Sequence, residues 1–199
     1  SKLCLGNLSE QQLREHVEKV LMDLDLYDIR DLRVGDELYN IISGGQRKRL
    51  NIALELIREP FNLALFDNHP DDQPTAFSPD TLSCGSWVAD AKGTIPDMRC
   101  CVTVMDASTP VDIPEGMPVY VSLDKDVMSR DYARTDWDQG EMSLQEVMDV
   151  ISHALEGHEL LGVDICGEIT ADKGACGEDV EINLRTDKIL SEFFVPLLN

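Results

Sequence analysis

Four short apolar runs, FNLALF (61–66), CCVTVM (100–105), PVYVSL (118–123) and LLGVDI (160–165), constrain this chain more than any other feature. Each reads as a buried strand. Between the third and fourth lies SLQEVMDVISHAL (143–155), which Ser143 and Glu146 open as a capping box and which is long enough for a parallel crossover. A last helix is expected over TDKILSEFFVPLL (186–198). Strands alternating with helices give an α/β fold, here a three-layer sandwich on a mainly parallel sheet.

Before Pro60 the pattern changes and reads as helical. Ser9 and Gln12 form a capping box before LREHVEKVLMDLDL, in which Leu13, Val17, Val20, Leu21 and Leu24 recur at helical spacing. Gly35 interrupts, Ser43-Gly44-Gly45 opens a second helix through QRKRLNIALELIRE, and Pro60 ends it because proline cannot continue the backbone ladder. The expected domains are therefore a helical extension over 1–60 and an α/β domain over 61–199. The segment DASTPVDIPEGMP reads as a proline-rich loop.

With 199 residues, 43% of them hydrophobic, the chain can bury a real core. No run approaches the roughly 18 apolar residues of a membrane span. The start, SKLCLGNLSEQQ, lacks the basic head and apolar core of a secretion signal, so a cytoplasmic location is expected. A formal charge of -21 repels phosphate backbones and anionic lipid, which argues against nucleic acid as a partner. Arg47-Lys48-Arg49 reads as the solvated face of a helix. The six cysteines contain no C-x-x-C pair and read as reduced thiols.

Two acidic clusters follow strands. Asp67-Asn68-His69-Pro70-Asp71 comes after FNLALF, and Ser122-Leu123-Asp124-Lys125-Asp126 overlaps the end of PVYVSL. Alternate residues leave a strand end on the same side, so carboxylates and an imidazole from two strands can converge at one sheet edge and hold divalent cations. The alternative is that these aspartates only cap loops, but the pairing of an Asp-x-His-x-Asp with a Ser-x-Asp-x-Asp favours a site. His153 and His158 read as surface residues, and Trp87 and Trp137 as packing residues.

The stretch IISGGQRKRLNIALELIREP resembles the signature region of ABC transporter ATPases, particularly the white-type subfamily. The resemblance implies that Ser43, Gly44, Gly45 and Gln46 present a helix N-terminus to the γ-phosphate of a nucleotide held by an opposite chain. No G-x-x-x-x-G-K-[ST] loop occurs in the sequence, so hydrolysis of ATP by this chain alone is not expected. The bland reading of the same four residues is a glycine turn that caps an amphipathic helix.

From about residue 52 onward, DNHPD, LSCGSWV, SLDKDVM, WDQGEMSLQEV and LGVDICGE resemble the arginase and agmatinase superfamily, the ureohydrolases. The resemblance implies a partial ureohydrolase fold and one or two Mn2+ ions held by Asp67, His69, Asp71, Asp124 and Asp126. It also implies hydrolysis of a linear C–N bond in a small guanidino or amidine substrate through a manganese-bridged hydroxide, with Asp71 accepting the proton and Glu168 pairing with the guanidinium. The family's further histidine ligand, upstream of DNHPD, is replaced here by SGGQRKRLN, so one ion should be held loosely. Where many arginases carry a proton-shuttling histidine, this chain reads Leu82-Ser83-Cys84-Gly85-Ser86.

Both resemblances run through ALELIREP, as at a crossover between two families. A sheet edge exposed by such an exchange must be covered, by the helical extension or in a homo-oligomer. The two expected functions are thus a hydrolase of the arginase/agmatinase type, impaired by the loss of one histidine, and a non-catalytic fusion or interaction protein whose signature segment contacts nucleotide in a partner chain.

Overall fold

In the computed structural model the described residues are 10–24, 26–32, 50, 60–74, 84–94, 98–170 and 173–198. They fall in two compact units, one of Ser1–Pro60 with Asp71–Arg99 and one of Phe61–Pro70 with Cys100–Asn199. The elements are α1 (Glu10–Asp23), β1 (Phe61–Phe66), α2 (Trp87–Thr94), β2 (Met98–Val104), β3 (Val119–Asp124), α3 (Leu144–Ala154), β4 (Leu160–Cys166) and α4 (Gly177–Phe194).

The second unit is organised by a parallel sheet in the order β2-β1-β3-β4, as the alternation of strands and helices predicts. Every residue of β1 is buried, which is why it reads as a nearly continuous apolar run instead of alternating; its one polar residue, Asn62, donates to the Pro114 carbonyl at 3.1 Å. Its pairing sets Leu65 beside Ser122 and Phe66 beside Leu123, while β3 and β4 set Ser122 beside Asp164 and Asp124 beside Cys166. Asp67 and Asp124 are therefore the next residues outward on neighbouring strands, both at the carboxyl end of the sheet.

Below that end lies the core. Ala64, Phe66, Val119, Val121 and Leu123 pack with Leu144, Val147 and Ile151 of α3 and with Leu190 and Phe194 of α4. The α3 residues are spaced by three and four, so they share one face of the helix. Ser143 and Glu146 close the expected capping box: the Ser143 N–H donates to the Glu146 carboxylate at 2.7 Å, and the Glu146 N–H donates to Ser143 Oγ at 3.2 Å.

Two helices depart from expectation. α4 begins at Gly177, well before the expected start at Thr186, because Asp179 accepts the Cys176 N–H at 2.8 Å and caps the added turns. Its buried face carries Asn183 and Thr186 beside Leu190 and Phe194, and two polar members hide the apolar period. Asn183 clamps the Arg134 backbone, accepting from its N–H and donating to its carbonyl, each at 3.0 Å. α2 has no local signal in the sequence, since WVADAKGT shows neither a helical apolar stripe nor a capping box.

In the first unit, Val20, Leu24 and Leu26 are buried on and after α1, and Trp87, Val88 and Ala91 on α2. The Asp71 carbonyl accepts the Val88 N–H at 3.0 Å. Ser9, Ser43, Gly44, Gly45 and Gln46, and the expected second helix apart from Leu50, lie outside the described residues.

Candidate metal centre

A buried carboxylate at a strand end is costly unless something pairs with it. The second unit brings two together. Asp67 and Asp126 are each almost wholly enclosed, at 1% and 2% exposure, and His69 sits between them. Among the described residues, Asp67, His69 and Asp126 form a group whose ligand atoms all lie within 4.8 Å of one another.

Local hydrogen bonds fix this geometry. Asp67 Oδ1 accepts the His69 N–H at 2.9 Å, and Asp126 Oδ1 accepts the Asn68 N–H at 2.9 Å, so the second acidic turn is tied to the first. Asp124 caps its own turn by accepting the Asp126 N–H at 3.1 Å. The His69 ring places Nδ1 2.9 Å from Asp126 Oδ2 and 3.7 Å from Asp67 Oδ1, and Nε2 3.3 Å from Asp138 Oδ1.

The electrostatics express crowded negative charge. Burial, followed by the Asp124 and Asp67 carboxylates, pushes the Asp126 carboxyl up to about 7, and the Asn68 N–H and His69 only partly offset this. For His69, burial pulls the imidazole down, but Asp126, Asp67 and Asp138 together carry it above its ordinary value. A divalent cation would relieve this charge. Two carboxylates and one imidazole are a donor set that suits manganese and its neighbours, so the residues present fit such an ion.

The other expected site residues lie as follows. Asp124 is close enough to act on Asp126, yet its carboxylate is turned to the Asp126 N–H and to Cys166 Sγ, 3.4 Å from Oδ2. Asp71 belongs to the first unit, where it has a positive φ of 48° and accepts Trp87 Nε1–H at 2.6 Å. Glu168 accepts from Lys125 Nζ at 2.6 Å, and the same ammonium pairs with Asp187.

Three residues around the centre were not singled out from the sequence. Lys125, between Asp124 and Asp126 in sequence, is fully buried. Gly167, at φ +96°, is required because a Cβ there would stand 1.9 Å from Asp124 Oδ1. Asp138 lies inside the WDQG motif, 69 residues from the histidine it approaches, and no local signal in the sequence links the two. Trp87 is buried as expected, whereas Trp137 is 59% exposed.

No protein-family model matches the chain. A protein of Thermotoga maritima described as uncharacterized is 33% identical over 129 residues, 58% of this chain and 51% of that protein. ABC transporter G family member 23 of Arabidopsis thaliana is 40% identical over 78 residues, 38% of this chain and 12% of the transporter. The chain thus spans about half the length of the first relative and a small part of the second. Among solved structures, arginase from Medicago truncatula superposes with a TM-score of 0.57 at 16% identity, over 96% of this chain and 67% of the other. A hypothetical agmatinase from Burkholderia thailandensis gives 0.57 at 19% identity, over 94% and 65%. The fold is that of arginases and agmatinases. No helix among the described residues is long and apolar enough to cross a membrane.

Proposed function

We propose that this chain is a metal-dependent hydrolase of the arginase/agmatinase type, cleaving a linear C–N bond in a small guanidino or amidine compound. One observation carries the reading: in an arginase-like fold, Asp67, His69 and Asp126 converge within 4.8 Å at the carboxyl ends of parallel strands. Such sheet ends are where open α/β folds place their ligands.

In this reading Asp67, His69 and Asp126 hold one Mn2+, with Asp124 beside them. When bound, such an ion is a Lewis acid that makes water nucleophilic near neutral pH. The residues around it orient the ligands. Asn68 ties the two acidic turns together through its N–H to Asp126, and Asp67, 1% exposed, accepts the His69 N–H and so orients that residue's backbone. Glu168 is assigned to the substrate's guanidinium through charge-assisted hydrogen bonds, a role it would share with its hold on Lys125.

The test is direct. Purified protein is titrated with Mn2+, then assayed for urea release from arginine and agmatine, with Asp126→Ala as the control. Mn2+ binding that the substitution abolishes, together with urea formation, supports the reading; absence of both in the unaltered chain removes it.

The likeness to the ABC transporter supports a second reading, in which Ser43, Gly44, Gly45 and Gln46 contact a nucleotide held by a partner chain. Nucleotide would then bind only when a chain supplying the phosphate loop is present. Equilibrium dialysis with and without such a chain separates the cases.

A further inference from the structure

We infer that Asp138 is a positioning residue for the metal centre: its carboxylate accepts the Nε2–H of His69 and so leaves Nδ1 as the lone-pair nitrogen facing Asp67 and Asp126. The inference rests on the divalent-ion reading of that centre.

A neutral imidazole carries one N–H and one lone pair, and the neighbours of its two nitrogens decide which is which. Here both nitrogens face carboxylates, Nδ1 at 2.9 Å from Asp126 and Nε2 at 3.3 Å from Asp138. With no other influence, either tautomer finds an acceptor. A cation between Asp67 and Asp126 removes that freedom, because the nitrogen turned to it must offer its lone pair. The hydrogen then belongs on Nε2, where it needs an acceptor, and Asp138 is the carboxylate placed to be one.

The loop carrying Asp138 is fastened to both ligand-bearing turns. Asn68 Nδ2 donates to the Asp138 carbonyl at 3.1 Å, and the Gly140 N–H donates to the Asp126 carbonyl at 2.6 Å. Gln139 Nε2 donates to the carbonyls of Met128 and Ala133 at 3.0 and 3.1 Å. Gly140 permits this approach: a Cβ there would stand 2.5 Å from the Val127 carbonyl oxygen. The backbone is thus held against the centre while the Asp138 carboxylate itself is 85% exposed. Water competes for an exposed acceptor, which places the effect at the low end of the ten- to hundredfold range typical of partners to metal-binding histidines.

The full chain is titrated with Mn2+ by calorimetry as the unaltered protein, Asp138→Ala, Asp138→Asn and Asp126→Ala. In parallel, long-range 15N spectra report the His69 tautomer with Zn2+ as a diamagnetic probe. Asp138→Ala is expected to weaken Mn2+ about tenfold and to blur the tautomer, whereas Asp138→Asn, which keeps an acceptor oxygen, recovers most of the affinity and the Nε2–H form. If Mn2+ binds the unaltered chain and is lost in Asp126→Ala, yet Asp138→Ala matches the unaltered affinity and tautomer, Asp138 is only a surface carboxylate and this inference fails while the metal reading stands. If the unaltered chain binds no Mn2+, both fail together.

Discussion

Lys125 stands between Asp124 and Asp126 in sequence, yet its ammonium is taken up by Glu168 and by Asp187 of α4. Burial raises the Asp187 carboxyl above its usual range, and Lys125 works against that rise. Removing the ammonium leaves two neighbouring carboxylates uncompensated. Because Glu168 and Asp187 are 46% and 34% exposed, they can turn to water. Lys125→Met should therefore cost less than the roughly 3–5 kcal/mol lost when one partner of a fully buried pair is removed. Urea denaturation of the two proteins measures this. A similar argument at Gly167 gives a sharper result: alanine there meets Asp124 Oδ1 and must adopt a positive φ. A backbone strain of about 1–3 kcal/mol and displacement of Asp124 should follow, read together as a lower unfolding midpoint and weaker Mn2+ binding. Neither residue was legible as part of the centre. A lysine flanked by acids looks solvated until its partners are known, and those partners come from positions distant in sequence.

At the scale of elements, legibility followed the source of each signal. Strands with continuous apolar runs and the Ser143–Glu146 cap could be read because their causes are local. The first turns of α4 could not, because Asn183 and Thr186 are buried by pairing with the backbone of the 132–134 segment, a contact between distant parts of the chain. The α3 cap also gives a pH-dependent expectation. Hydrogen bonds from the Ser143 backbone and side chain hold the Glu146 carboxyl below its ordinary 4.5. A depressed carboxylate contributes stability that is present above the unfolded value and lost as pH falls through the folded one. Ser143→Ala should accordingly destabilise the protein by roughly 1 kcal/mol at neutral pH, as helix-cap deletions do. That difference should shrink below pH 4.5 as the protonated Glu146 loses its hold. Thermal melts of both proteins across that range test it.

For the whole molecule, the formal charge of -21 was legible at once, but it does not tell a specific ion site from a general attraction for cations. The two differ in how they saturate. Self-repulsion weakens the compact state, and monovalent salt relieves it gradually by screening, with no stoichiometric end point. An ion held by Asp67, His69 and Asp126 binds the folded state alone, so its stabilisation follows mass action and reaches about 2.7 kcal/mol at a concentration one hundred times its Kd. For a chain of this length that corresponds to a rise of roughly 5–10 °C in Tm. Melting curves in fixed 0.15 M NaCl with increasing Mn2+ should therefore show a saturating rise superposed on the flat salt background. Asp67→Asn should remove the rise and leave the response to NaCl unchanged, because one charge in -21 scarcely alters the general field. An equal rise in the variant would assign the whole effect to diffuse attraction, and the convergence of three ligands at the sheet end would then have no consequence for cation binding.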